Sequence, residues 1–222
     1  MSGEGWFSVT IGLCFALSFV IRGGFYMSLA EQQPLSKEAY LSGERESDVK
    51  HELIDGHAYL MAGASINLQR ICTNISGEFR VHLKGSHCEA LGADILVNVE
   101  QDFFYPDVMV VCDFDESQPY FTQSPVIIVE VLSKTTSRND RTIKRLAYQK
   151  LPTLKEYVLI EQDFVSVEVM RKSQFWQASH YVLGDQVYFE SIDLTLSVAD
   201  IYERVNNEDM SNYRAAEQKV IR

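Results

Sequence analysis

Cysteine is scarce in this sequence, and the few cysteines form no recognisable metal or disulfide pattern. None of the four belongs to a C-x-x-C pair, and no cluster of cysteine and histidine has the spacing of a zinc site. Four scattered thiols in a chain of 222 residues are typical of a reducing compartment. We therefore predict a cytoplasmic protein in which Cys14, Cys72, Cys88 and Cys112 are free thiols.

Positive charge is also in short supply. The chain has 20 Lys and Arg against 31 Asp and Glu, which gives a net charge of -11. A protein that binds nucleic acid over its whole surface is expected to be basic, so the composition disfavours that class, although a locally basic site remains open. Hydrophobic residues make up 46% of the chain and charged residues 23%, which excludes a wholly disordered or collagen-like protein.

No hydrophobic run reaches the length of a typical membrane-spanning helix. Residues 6–21 are sixteen residues without a charge, whereas a spanning helix needs about 20. No Lys or Arg precedes this run and no A-x-A site follows it, which disfavours a secretion signal. We predict that residues 1–26 are an extra leader and that Met27 is the working start. The alternative is a membrane anchor, which would make the chain a tethered interaction protein.

Repeats and Pro/Gly-rich linkers are absent from residues 30–205, so we predict one mixed α/β domain over 27–205 and a polar, frayed tail over 206–222. Ser36 is placed to cap a short helix, and Asp55-Gly56 predicts a tight hairpin. The predicted helices are 34–43, 66–84 (apolar stripe Ile66, Ile71, Ile75, Phe79, Leu83), 139–150 (inner stripe Ile143, Leu146, Ala147) and a short one capped by Ser197 and Asp200. The predicted strands after the hairpin are 94–99, 105–111, 126–132, 156–161, 165–170, 175–182 and 187–190.

Two carboxylates stand out against this apolar background. Glu130 lies inside VIIVEVL, and an ionised carboxylate in a buried strand is unfavourable unless it is paired, hydrogen-bonded or bound to a metal. Asp107 follows Pro106 at the start of another apolar run. Each residue also has a structural interpretation. Asp107 could cap a turn, and Glu130 could form an internal salt bridge to an arginine of the following helix.

A basic segment follows the strand that carries Glu130. Residues 134–150 contain six cations and one acid, Asp140, which reverses the charge balance of the whole chain. Asp140, Lys144 and Tyr148 are four residues apart and share one helix face. Such a charge run is most often a solvated helix face, but a lysine there could also reach the end of the Glu130 strand. The cations are Lys134, Arg138, Arg141, Lys144, Arg145 and Lys150.

Together these residues match the requirements of metal-assisted phosphodiester hydrolysis. Asp and Glu oxygens bind hard cations such as Mg²⁺, which polarise a phosphate and activate a water molecule. A lysine can stabilise the charge that develops on the phosphate, and flanking arginines can bind the nucleic-acid backbone. Glu52, on the hairpin, is a further candidate acid.

The order of the motifs resembles one known family. HELIDG, YPDVMVV, VIIVEVLSKTT, the run of residues 140–148 and EYVLI are similar to the Uma-type ("Uma two") endonucleases, a branch of the PD-(D/E)XK restriction-endonuclease-like superfamily. The resemblance covers residues 35–205. It implies a central mixed β-sheet flanked by helices, an N-terminal hairpin, a Mg²⁺ or Mn²⁺ site and a DNA substrate. It places the metal-binding acids on Asp107 and Glu130.

The catalytic lysine is harder to assign. The superfamily places it two residues after the glutamate, where this chain has Leu132. The Uma-type pattern takes it from the next helix, which corresponds to Lys144, with Asp140 and Tyr148 in support. Lys134 is the other candidate, at a position where the family usually has proline. The family also often has a histidine where this chain has Leu68, which leaves activity open if that histidine takes part in the chemistry.

We therefore expect a divalent-metal-dependent endonuclease that cleaves DNA, with Arg138, Arg141 and Arg145 contacting phosphates. The alternative is a catalytically inactive nuclease-fold protein that binds nucleic acid or a protein partner in a regulatory role. A homodimer is compatible with either hypothesis, and a membrane partner is expected only if the leader is retained.

Overall fold

The computed structural model describes residues 33–61, 63–134 and 136–220, without the side chain of Val220. The predicted leader and Cys14 lie outside the described residues. In the part of the chain that is described, no helix combines the length and apolarity needed to cross a bilayer. The architecture is mixed α+β, with β-sheets flanked by helices, which confirms the predicted fold class.

A six-stranded mixed sheet forms the centre of the fold. Its strand order is β11-β10-β9-β8-β6-β3, with β8 and β9 parallel and the other neighbours antiparallel. All eight residues of β8 are buried, which explains why this strand is an almost unbroken apolar run. The strands are β3 (Cys88–Gly92), β6 (Val108–Cys112), β8 (Pro125–Leu132), β9 (Glu156–Glu161), β10 (Val167–Arg171) and β11 (Ala178–Tyr181).

A second sheet of five strands contains the predicted hairpin. Its order is β2-β1-β5-β4-β7. The turn between β1 and β2 has positive φ at Asp55 (49°) and Gly56 (76°), as a tight hairpin turn requires. The strands are β1 (His51–Ile54), β2 (His57–Leu60), β4 (Leu96–Val99), β5 (Asp102–Phe104) and β7 (Phe121–Thr122), and a separate pair is formed by β12 (Gln186–Phe189) and β13 (Leu194–Ser197).

Helices cover both faces of the central sheet. Helix α2 packs Ile71, Ile75 and Phe79 on one face, against the side chains of β8 that alternate with Glu130. On the other face lies the helix of residues 137–148, which contributes Ala147 and Tyr148. The helices are α1 (Lys37–Glu46), α2 (Ile66–His82), α3 (Ser137–Asn139) continued by a π-helical segment (Asp140–Lys144) and α4 (Arg145–Tyr148), then α5 (Val198–Ile201) and α6 (Glu208–Val220).

Several predicted boundaries and faces were wrong. Ser36 caps α1 as expected, but the helix continues past Gly43 to Glu46. Ile66 is 65% exposed because it lies on the first turn of α2, before the buried stripe begins. The predicted frayed tail contains α6, in which Met210 is buried. Strands β3, β5, β7 and β13 were not predicted, because they are short or interrupted by polar residues.

Two of the three residues predicted for the inner stripe of the helix 139–150 were also wrong, whereas Ala147 is buried as predicted. Ile143 and Leu146 are exposed, whereas Asp140, Lys144 and Tyr148 point inward. The charged face is therefore the buried one, which apolar periodicity cannot predict.

The cysteine prediction needs correction as well. Cys88 and Cys112 form a disulfide, because the antiparallel register of β3 and β6 places them directly opposite each other with Cα atoms 3.9 Å apart. Cys72, on α2, is a free thiol. The spacing of 24 residues gave no sign of this pairing, since β3 was not recognised as a strand.

Candidate functional site

Adjacent strands of the central sheet bring the two predicted acids together. Strands β6 and β8 are antiparallel, with Val108 opposite Val129, and continuing this register by one residue places Asp107, just before β6, opposite Glu130. Side chains in such cross-strand positions share a sheet face and have Cβ atoms about 4.5–5.5 Å apart. Asp107 Oδ2 also accepts a hydrogen bond of 2.7 Å from the backbone N–H of Val131, the residue after Glu130.

Burial changes the acidity of both carboxyl groups. Glu130 is 3% exposed, and its burial, with the negative charges of Asp140, Asp107 and Glu52, raises its pKa well above the ordinary value against the opposing charge of Lys144. Burial raises the pKa of Asp107 to about 6, although the Val131 hydrogen bond and Lys144 oppose the change. The positive charge of Lys144 therefore does not fully compensate the cost of burying two ionised carboxylates together.

Lys144 lies between three of the carboxylates. Its Nζ is 2.8 Å from Glu52 Oε1, 3.2 Å from Glu130 Oε1 and 3.3 Å from Asp140 Oδ1. Burial alone would lower the pKa of Lys144, but the negative charges of Glu130, Glu52 and Asp140 outweigh burial and raise it. Lys144 is therefore a buried ammonium group in contact with three carboxylates.

The helix of residues 137–148 presents this lysine together with two supporting groups. Tyr148 donates a hydrogen bond of 3.0 Å to Glu130 Oε1, and Tyr157 on β9 donates to the backbone oxygen of Asp140 at 2.9 Å. Asp140 Oδ1 is buried and accepts no hydrogen bond from any described group, despite its closeness to the ammonium. A π-helical segment spans Asp140 to Lys144, a rare geometry that often occurs at functional sites.

Glu52 reaches the cluster from the other sheet. It is buried on β1, and its Oε1 accepts a hydrogen bond of 3.0 Å from the backbone N–H of Tyr105. The hairpin that the Asp55-Gly56 turn creates is thus the element that delivers this acid. We use the term carboxylate cluster for Glu52, Asp107, Glu130 and Asp140 around Lys144.

The carboxylate cluster lies in a cleft with a volume of about 1110 Å³. One wall is the hairpin, another is the start of α2, and a third is the segment that follows β8. Leu68, at the position where the Uma-type family often has histidine, lines this cleft, so the departure from the family pattern lies next to the cluster. The chain therefore has acids, a lysine and space for a ligand in one place.

The remaining predicted residues lie elsewhere. Lys134 is exposed at the edge of the cleft, 4.0 Å from Asp163 Oδ2, and does not join the carboxylate cluster. Arg138 is exposed. Arg141 pairs with Glu161 and Glu168 at 2.9 and 2.6 Å, so it is not the partner of Glu130. The internal salt bridge predicted as the alternative role of Glu130 is present, but its cation is Lys144 of the same helix.

Arg145 is also used within the protein. It donates a hydrogen bond of 3.5 Å to the backbone oxygen of Trp176. Of the three arginines predicted to contact phosphates, Arg138 alone has no described side-chain bond within the protein, and the described lining of the cleft includes none of the three.

Comparisons with known proteins agree with this geometry. The Uma2 family, described as "Putative restriction endonuclease", matches residues 37–199. The chain belongs to the Uma2 family. An uncharacterized Synechocystis protein, slr1290, is 35% identical over 173 residues, which cover 76% of this chain and 91% of that protein. A second, sll1609, is 31% identical over 151 residues, with 66% and 85% covered.

A solved structure shares the fold. It is the crystal structure of "a putative nuclease belonging to DUF820" from Anabaena variabilis, with a TM-score of 0.68 and 19% sequence identity. The likeness covers 78% of this chain and all of the other. The predicted family and fold are therefore confirmed, and membership of Uma2 supports a nuclease-like function.

Sequence reasoning missed one residue of this Uma2 site. Gln162 is buried directly after β9 and lines the cleft. Its Nε2 donates to the Leu132 oxygen at 2.9 Å, and its Oε1 accepts from Ser65, the cap of α2. It thus connects the end of β8 to the start of α2. A polar residue immediately after an apolar strand was the available signal.

Proposed function

We propose that this protein is a divalent-metal-dependent endonuclease that hydrolyses DNA phosphodiester bonds in the cleft. The observation that carries the proposal is Glu130, a buried carboxylate that shares one cleft with Asp107 and the ammonium of Lys144. A purely structural glutamate would be neutralised by one cation, whereas here three carboxylates contact one lysine and Asp107 adds a fourth acid to the same cleft.

The donor set fits Mg²⁺ or Mn²⁺. All candidate ligands are carboxylate oxygens, and Mg²⁺ is commonly bound by one or two carboxylates with several waters. The three carboxylates around Lys144 do not bring three ligand atoms within 4.8 Å of one another. Within the described residues, only His87 and the disulfide-bonded Cys88 and Cys112 do so. Asp107 and Glu130, on neighbouring strands, would therefore hold the ion as a pair.

Each residue then has a role that follows from its contacts. When bound, the ion would polarise the phosphate and lower the pKa of a coordinated water. Lys144 supplies a fixed positive charge beside the phosphate, where it stabilises the negative charge that develops during hydrolysis. Tyr148 holds Glu130 Oε1 in place, and Asp140 and Glu52 keep Lys144 protonated and oriented. Arg138 remains the candidate phosphate contact outside the cleft.

The test is a cleavage assay with purified full-length protein on circular and linear DNA. We expect cleavage with MgCl₂ or MnCl₂ and none with EDTA. Replacing Asp107 or Glu130 with alanine should abolish it, while Glu203→Gln, at an exposed glutamate outside the cleft, should leave it unchanged. Absence of cleavage by the wild type with either metal would refute the proposal and favour the inactive, regulatory alternative.

A further inference from the structure

The cleft contains little free positive charge. Its described lining includes six carboxylates, three lysines and no arginine. Each lysine is already within ion-pair distance of a carboxylate that lines the same cleft: Lys50 with Asp94, Lys134 with Asp163, and Lys144 with three acids. Proteins that bind duplex DNA depend on many contacts from cations to phosphates. Single strands that are bound along their backbone also need a positively charged groove, so this cleft is suited to holding one nucleotide rather than a tract of either kind of DNA.

The burial of the carboxylate cluster also affects which form of DNA can reach it. Glu130, Asp140 and Lys144 are each 5% exposed or less, so a phosphate must enter the cleft to reach them. A duplex is stiff, and deforming it so that one phosphate enters a recessed site costs free energy, whereas a flexible single strand can place a phosphate there more easily.

An exposed aromatic side chain lies next to the carboxylate cluster. In the hairpin register, Tyr59 on β2 is directly opposite Glu52 on β1, so the two side chains share a sheet face. Glu52 contacts Lys144, whereas Tyr59 is 52% exposed and lines the cleft. Leu60, also exposed, and Leu68 of α2 line the same cleft. An aromatic ring beside a cleft with spare apolar surface is suited to stacking with a nucleobase.

We propose that the cleft binds an unpaired nucleotide whose base stacks on Tyr59 while its phosphate lies at Asp107 and Glu130, so that single-stranded or locally melted DNA is the substrate. This inference rests on the proposed function for its phosphate, but the stacking site can be tested without cleavage.

The experiment compares one oligonucleotide sequence in single-stranded and duplex form, using the full chain. Initial rates are measured in MgCl₂ or MnCl₂, and binding is measured by fluorescence anisotropy in CaCl₂. We expect the single strand to be cleaved at least about tenfold faster and to bind more tightly, since stacking of one base contributes about 5- to 100-fold. Tyr59→Ala should lose most of this advantage, mainly through KM.

Two further variants separate stacking from folding. Tyr59→Phe keeps the ring and should behave like the wild type, as should Tyr188→Ala, which removes an exposed tyrosine on β12, outside the cleft. Equal cleavage of duplex and single strand, or a Tyr59→Ala variant that binds single strands normally, would overturn the stacking site. Failure of the wild type to cleave any DNA would refute the nuclease proposal, and the anisotropy measurement would still decide the role of Tyr59.

Discussion

Two buried glutamates on neighbouring strands, Glu130 on β8 and Glu156 on β9, have opposite surroundings. Glu156 is fully buried beside Arg171, accepts hydrogen bonds from the backbone N–H groups of Glu190 and Ser191, and is not part of the cleft lining. Glu130 shares one lysine with other acids and faces a cleft. Burial of a carboxylate alone therefore does not indicate function. Glu130 differs in having an excess of negative charge next to a cleft, and the proposed function rests on that difference.

Exchanging each glutamate for glutamine should separate the two roles most sharply. Glu130→Gln should abolish metal-dependent cleavage, yet raise the melting temperature at pH 8, because it removes a buried charge while Tyr148 can still donate to the amide oxygen. Thermal unfolding and cleavage assays on the same preparation measure both effects. A variant that cleaves normally, or that is strongly destabilised, would place Glu130 with Glu156 as a structural residue.

Glu156→Gln is the matched variant. It should lower the free energy of unfolding by about 3–5 kcal/mol, because Arg171 loses its buried partner, and leave the cleavage rate per folded molecule unchanged. Urea denaturation measures the loss. A Glu156→Gln variant of normal stability but low activity would show that Glu156 takes part in the reaction rather than in holding the fold.

Lys144 should matter more for rate than for metal binding. We expect Lys144→Met to reduce the cleavage rate by about 10²–10³-fold, since it removes the charge beside the phosphate, with near-normal Mn²⁺ affinity by calorimetry. The variant should also be less stable at pH 8, because Glu52, Glu130 and Asp140 lose their cation. Lys134→Met is the control. An inactive Lys134→Met variant beside an active Lys144→Met variant would move the catalytic role to Lys134.

The raised pKa of Asp107 predicts a pH dependence. Folding favours its protonated form, so its contribution to stability is present at low pH and is lost as pH rises from the ordinary value of 3.8 through about 6. Asp107→Asn should therefore raise the melting temperature by about 3–6 °C at pH 8 and much less at pH 4. In the wild type, Mn²⁺ affinity should weaken as pH drops through about 6, because the ion must displace the proton of Asp107. A melting-temperature difference independent of pH would contradict this assignment.

Tyr148→Phe should have the smallest effect. The variant keeps the ring and removes only the hydroxyl that orients Glu130 Oε1, so we expect a loss of about 3- to 10-fold in rate with little change in metal affinity. A steady-state analysis with varied Mn²⁺ distinguishes the two quantities. A large change in metal affinity would show that Tyr148 shapes the binding site rather than supporting the glutamate.

Sequence patterns identified candidate site residues where a charged side chain conflicts with an apolar segment. Glu130 was visible because a charge interrupts an apolar strand. The spacing of Asp140, Lys144 and Tyr148 grouped them on one helix face but did not show that this face is buried. The partners of Arg141 could not be predicted, since Glu161 and Glu168 come together only when β9 and β10 pair. The same holds for the Cys88–Cys112 disulfide and for Tyr59 opposite Glu52, which depend on strand register.

The most direct test is a Mn²⁺-soaked crystal of the wild-type protein, examined by anomalous diffraction. We predict one strong anomalous peak between the carboxylates of Asp107 and Glu130, absent in Glu130→Gln crystals soaked in the same way. A Mn²⁺ peak elsewhere, or none within the cleft while Lys144 keeps its three carboxylate contacts, would contradict a metal-dependent reaction at this site.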